Sequence, residues 1–146
     1  MKNILVTVEF EAQIEQLTQK AKDLALKYNA KLWLLHVAAP DPDFVGYEVG
    51  PTYIRKSRAE ELKQEHRFLD NLSKELETEG IEADGLLIQG ATAQTILEEA
   101  EKLNCDLIIL GHHQHSWFYN LFGQSTDLEV IEKTNIPVLI VPIIVK

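Results

Sequence analysis

At residues 106–111 a strand-like segment, DLIILG, releases into GHHQHSWFYNLFGQST. This junction gathers the side chains best able to do chemistry: His112, His113, Gln114, His115, Gln124, Ser125 and Thr126. A strand that ends in glycine and opens into a polar loop is where open α/β sheets place their ligands. Gly111 can let main-chain amides approach an anion, and Ser125 can cap the following helix while its own amide faces that anion. The three histidines raise the question of a metal. Adjacent histidines in a loop point apart, however, and no cysteine or carboxylate stands beside them at a recognised ligand spacing, so no metal site is expected. Trp117, Phe118, Tyr119, Leu121 and Phe122 are too apolar to face water without cost, so the fold, a partner chain or a ligand should cover them.

Other positions add single groups. Glu9 follows the apolar run ILVTV at 4–8, where a carboxylate can accept hydrogen bonds from a ligand or simply favour a helix start. His36, in LLHV, has apolar neighbours and reads as a packed residue. In QGATAQTI, Gly90 supplies a turn and Thr92 a hydroxyl N-cap, as any strand-to-helix connection requires; if the turn serves a site, Gly90 contributes to it and Thr92 is structural. Cys105 is the single cysteine, which allows no internal disulfide and reads as a small apolar residue.

Five apolar runs have to position these groups, at 4–8, 32–37, 85–90, 106–111 and 137–145. Most are continuous rather than alternating, the pattern of parallel strands covered on both faces. Between them, Ile14, Leu17, Ala21, Leu24, Ala25 and Tyr28 recur at helical spacing. So do Leu62, Leu69, Leu72 and Leu76, and then Ile96, Leu97, Ala100 and Leu103. The alternation predicts βαβ units with right-handed crossovers in one domain, residues 1–146. Pro40, Pro42, Gly46, Gly50 and Pro51 predict a long loop before about residue 52, with Phe44, Tyr47 and Tyr53 able to cover a site or pack on a partner.

Composition narrows the partners. The 146 residues are 45% hydrophobic and 25% charged, the balance of a globular chain. A net charge of −9 repels nucleic acid and anionic lipid, although a few oriented amides can still hold a nucleotide locally. The N-terminus, broken early by Glu9 and Glu11, is not a signal peptide, and no apolar run approaches the roughly 20 residues of a membrane span. A cytoplasmic location is expected.

Taken together, ILVTVEF, LLHV and GHHQ at their spacing resemble the universal stress protein family over nearly the whole chain. The resemblance implies a Rossmann-like, open five-stranded parallel sheet with helices on both faces and strand order 3-2-1-4-5. It implies a nucleotide site made by Val8, Glu9, Val37, Gly90, Gly111, His113, Gln114, Gln124, Ser125 and Thr126. Val37 would back an adenine ring, and Glu9 stands where nucleotide-binding relatives usually have Asp toward the adenine or ribose. The family's phosphate signature has three glycines and a hydroxyl residue. Here they fall on Gly111, Gln114, Gln124 and Ser125, so two glycines are replaced by side chains that occupy phosphate volume. GHHQ is similar to the protein A subgroup, which is implied not to hold ATP tightly. The reading favoured is a dimeric, non-catalytic stress-response module, paired through the C-terminal strand from Pro137 to Val145. The alternative is a sensor of ATP or AMP with at most slow hydrolysis, its only metal the magnesium carried by the nucleotide. HxGH and the Walker motif GxxxxGK[ST] are both absent, which argues against a nucleotide-transfer enzyme.

Overall fold

The computed structural model describes residues 1–10, 14–39, 52–113 and 126–144. Strands and helices alternate: β1 (Asn3–Thr7), α1 (Ile14–Tyr28), β2 (Lys31–Ala38), α2 (Thr52–Thr78), β3 (Ala83–Gln89), α3 (Thr92–Lys102), β4 (Leu107–His113), α4 (Thr126–Lys133) and β5 (Val138–Ile143). The strands form one parallel sheet in the order β3-β2-β1-β4-β5, as expected.

The continuous apolar runs follow from position in this sheet. Ile4, Leu5 and Val6 of β1 and Ile108 and Ile109 of β4 are fully buried, because both strands are central and covered on two faces. One face packs Ile4, Val6, Leu34 and Ile109 against Leu17, Ala21 and Ala25 of α1 and Leu69 and Leu76 of α2. The other packs Leu5, Leu35, Ile108 and Leu110 against Ala93, Ile96 and Ala100 of α3 and Val130 of α4. The chain therefore leaves β1 toward one face and β4 toward the other.

Two boundaries differ from the sequence reading. His112 and His113 were expected to open the loop, but β4 runs through both, because His112 pairs with Pro142 and His113 with Ile143 of β5. β5 in turn stops at Ile143 instead of running on to 145. The Gln16 carboxamide takes both backbone groups of Ile144, accepting its N–H at 3.1 Å and donating to its C=O at 2.9 Å, where a strand would offer backbone. The proline- and glycine-rich segment 40–51 and the aromatic cluster at 117–122 lie outside the described residues.

Candidate functional site

The opposite exits of β1 and β4 open a crevice at the C-terminal edge of the sheet, the switch point where such folds bind ligands. A cleft of about 70 Å³ occupies it, lined by residues that include Thr7, Val8, Glu9, His36, Val37, Gly111, Thr126 and Asp127. Its walls combine apolar groups (Val8, Val37, Ile96, Leu110, Ile143) with a few polar ones, the usual make-up of a small-molecule pocket.

Each wall is fixed from below. The Thr7 hydroxyl donates to the Ile109 carbonyl at 3.4 Å, tying β1 to β4. Past the end of β1, the Val8 N–H donates to the Leu35 carbonyl at 2.8 Å. The Val8 carbonyl accepts from His36 Nδ1 at 2.8 Å. Because a carbonyl only accepts, Nδ1 carries the proton and Nε2 faces Glu65 of α2, 3.6 Å from its Oε2. Phe10 lies against the imidazole with ring centroids 4.2 Å apart. His36 is thus packed, as expected, and it also holds the β1 exit in place beside the cleft.

Gly111 forms the floor. A Cβ there would meet Ile143 Cγ1 at 3.2 Å, so the missing side chain lets β5 close against β4 as well as leaving the cleft open. At the far side, Thr126 and Asp127 begin α4. His112 Nδ1 donates to Asp127 Oδ2 at 2.8 Å. That pair escaped the sequence reading, since 15 residues separate its members and no local spacing links them.

The expected site residues therefore divide. Val8, Glu9, Val37, Gly111 and Thr126 come together around the cleft. Gln114, Gln124 and Ser125 lie outside the described residues, as does the side chain of His113. Gly90 does not line the cleft while Thr92 does, which reverses the roles expected of the two. The reason is packing: a Cβ on Gly90 would stand 2.7 Å from Thr95 Oγ1 of α3. Nor is Thr92 an N-cap. Ala91 holds that position, with no side-chain cap, and Thr92 is the first helical residue.

Chemistry elsewhere is quiet. The Cys105 thiol is pushed up to about 11, first by burial and then by the neighbouring Asp106 charge, so it is not a thiolate nucleophile at neutral pH. Among the described residues no group of three or more His, Cys, Asp or Glu side chains could hold a metal ion. No helix there is long and apolar enough to cross a membrane.

Comparison with known proteins agrees with this architecture. Universal stress protein A of Escherichia coli (strain K12) is 30% identical over 147 residues, covering 97% of this chain and 94% of the relative. The structure of the universal stress protein UspA from Lactobacillus plantarum matches with a TM-score of 0.79 at 18% identity, over 96% of this chain and 97% of that one. The universal stress protein from Archaeoglobus fulgidus in complex with dAMP matches with a TM-score of 0.62 at 18% identity, over 97% and 98%. The sequence model of the universal stress protein family matches residues 1–142. The chain belongs to the universal stress protein family.

Proposed function

We propose that this chain is a dimeric, non-catalytic stress-response module of the cytoplasm whose cleft receives an adenine ligand without holding ATP tightly. The observation that carries the reading is the cleft itself: apolar Val8 and Val37 beside the Glu9 acceptor at the switch point, the combination a purine and ribose require. The dAMP complex of the Archaeoglobus fulgidus relative supports the adenine assignment. Against tight triphosphate binding stand Gln114 and Gln124, which replace two of the three signature glycines with side chains. The second reading, an adenine-nucleotide sensor with slow hydrolysis, is favoured by Thr126 and the start of α4 facing the same cleft.

Calorimetry with ATP and AMP, together with mass analysis of nucleotide retained through purification, separates the two. No retained ATP and only weak binding are expected, and tight ATP binding would establish the sensor. The double substitution Gln114→Gly and Gln124→Gly should raise ATP affinity if those side chains crowd the phosphates. An unchanged affinity would place the obstruction elsewhere.

A further inference from the structure

The cleft reaches across the edge of the sheet into both cores. Val37, Ile96 and Leu110 belong to the α3 face, whereas Ile14, Leu17 and Ile143 belong to the α1 face. Among the described residues its lining runs from β2 through β1 to β4 and β5 and includes none of β3. A base seated on Val37 therefore sends its sugar in one direction, over the end of β1. Two strand spacings, about 10 Å, separate β2 from β4, so the 5′ carbon of such a nucleoside points at Gly111. What it meets there is hydrocarbon. The Cβ that Gly111 lacks would stand 3.2 Å and 3.3 Å from Ile143 Cγ1 and Cδ1 and 3.8 Å from Leu17 Cδ2, so both side chains lean over the glycine. Ile14, the first residue of α1, is half-buried against the same core and still lines the cleft. An apolar group covered by these three side chains gains about fourfold in affinity for each methylene taken out of water. A phosphate in that place would lose water and find no hydrogen-bond partner in them. Thr126 and Asp127 offer the polar alternative, on the face of β4 that α4 covers.

From this lining we infer that the cleft takes an adenine nucleoside carrying a short apolar group, such as a thioether, at its 5′ carbon, with that group set among Ile14, Leu17 and Ile143. This rests on the reading of the cleft as an adenine-ligand site and names the class of ligand that site takes.

The test is calorimetric titration of the full chain with adenosine, 5′-deoxy-5′-methylthioadenosine and AMP, for the wild type and Ile14→Ala. In the wild type the methylthio nucleoside should bind most tightly, by about fivefold or more over adenosine. Ile14→Ala should shrink that ratio by about threefold or more, because it strips the cleft of one of the three side chains around the thioether. Circular dichroism confirms that the variant is folded, and the wild-type comparison of the three ligands decides by itself. A methylthio nucleoside that binds no better than adenosine overturns the inference and leaves the adenine-site reading intact. AMP as the tightest ligand also overturns it, since the 5′ group would then turn to Thr126 and the start of α4. A preference for the thioether that survives unchanged in folded Ile14→Ala overturns it as well, because the group would lie elsewhere. Binding of none of the three ligands overturns both the inference and the reading beneath it.

Discussion

Asp106 shows how a single exposed carboxylate can join distant parts of the chain. Its Oδ2 accepts the backbone N–H of Lys2 at 2.7 Å and of Asn3 at 3.0 Å, fastening the start of β1 to the start of β4 at the end of the sheet away from the cleft. The Asn3 N–H first, then that of Lys2, holds the carboxyl below its ordinary range. A group whose folded value is depressed contributes stability above its unfolded value and loses that contribution as pH falls through the folded one. Urea midpoints should therefore decline on acidification below about pH 4, and Asp106→Asn should flatten that part of the decline while lowering the midpoint at neutral pH. A variant with the same acid profile as the wild type would show that the two hydrogen bonds add nothing to stability. His36 illustrates the opposite case, a histidine at the cleft rim whose contacts with the Val8 carbonyl, Phe10 and Glu65 come from two stretches of chain remote from its own. Its neighbours in LLHV announce burial, but the partners that orient it cannot be read from them.

At the scale of elements, three helices end by one device. Asn29, Gly80 and Asn104 take positive φ, at 54°, 86° and 54°. The next residue in each case donates back five positions, Ala30 to Ala25, Ile81 to Leu76 and Cys105 to Ala100, satisfying helix-end carbonyls before the chain enters a strand. Gly85 fixes a different relation, the seat of α2 on β3, because a Cβ there would fall 2.8 Å from Leu69 Cβ. That neighbour is the root of a side chain, so α2 itself would have to move. Gly85→Ala gains about 0.4–1 kcal/mol from a stiffer unfolded chain, but overpacking of this kind costs about 1–3 kcal/mol. A net loss of stability is expected in urea unfolding, and an unchanged midpoint would show that the helix shifts without cost. Strands and helices were legible because continuous apolar runs and three- and four-residue steps survive in one dimension. Strand order came from family resemblance, since pairing partners leave no mark along a single chain. Within the site, the rim residues at the end of β1 were legible from the end of the first apolar run, whereas the role of Val37 came from the family resemblance. The exchange of roles between Gly90 and Thr92 was not, because it depends on Thr95 meeting Gly90 across the turn.

For the whole molecule, the proposed dimer asks which sheet edge is open. β3 carries Asp84, ion-paired to Lys31 at 2.6 Å, and charge on an edge strand opposes pairing. β5 reads VLIVPI, with no charge. The Ile108 N–H donates to the Pro137 carbonyl at 3.0 Å, in a register that sets Ile108 against Val138. Parallel ladders alternate, so residues 139, 141 and 143 also turn their backbone groups toward β4, while Val138, Ile140 and Pro142 turn theirs outward. Pro142 has no N–H to offer, which suits its outward position, and Gln16 engages both backbone groups of Ile144. Outward donors on β5 are therefore confined to Val138 and Ile140 among the described residues, and an antiparallel partner must centre its register there. Ile140→Pro removes one of these donors without touching the ladder to β4. It should yield a monomer in sedimentation velocity with a folded circular dichroism spectrum, whereas Val141→Pro, which strikes the inner ladder, should destabilise the protomer itself. A dimer that persists in folded Ile140→Pro, and again in Val138→Pro, would move the contact off this strand and leave the β5 edge to be covered from within the protomer.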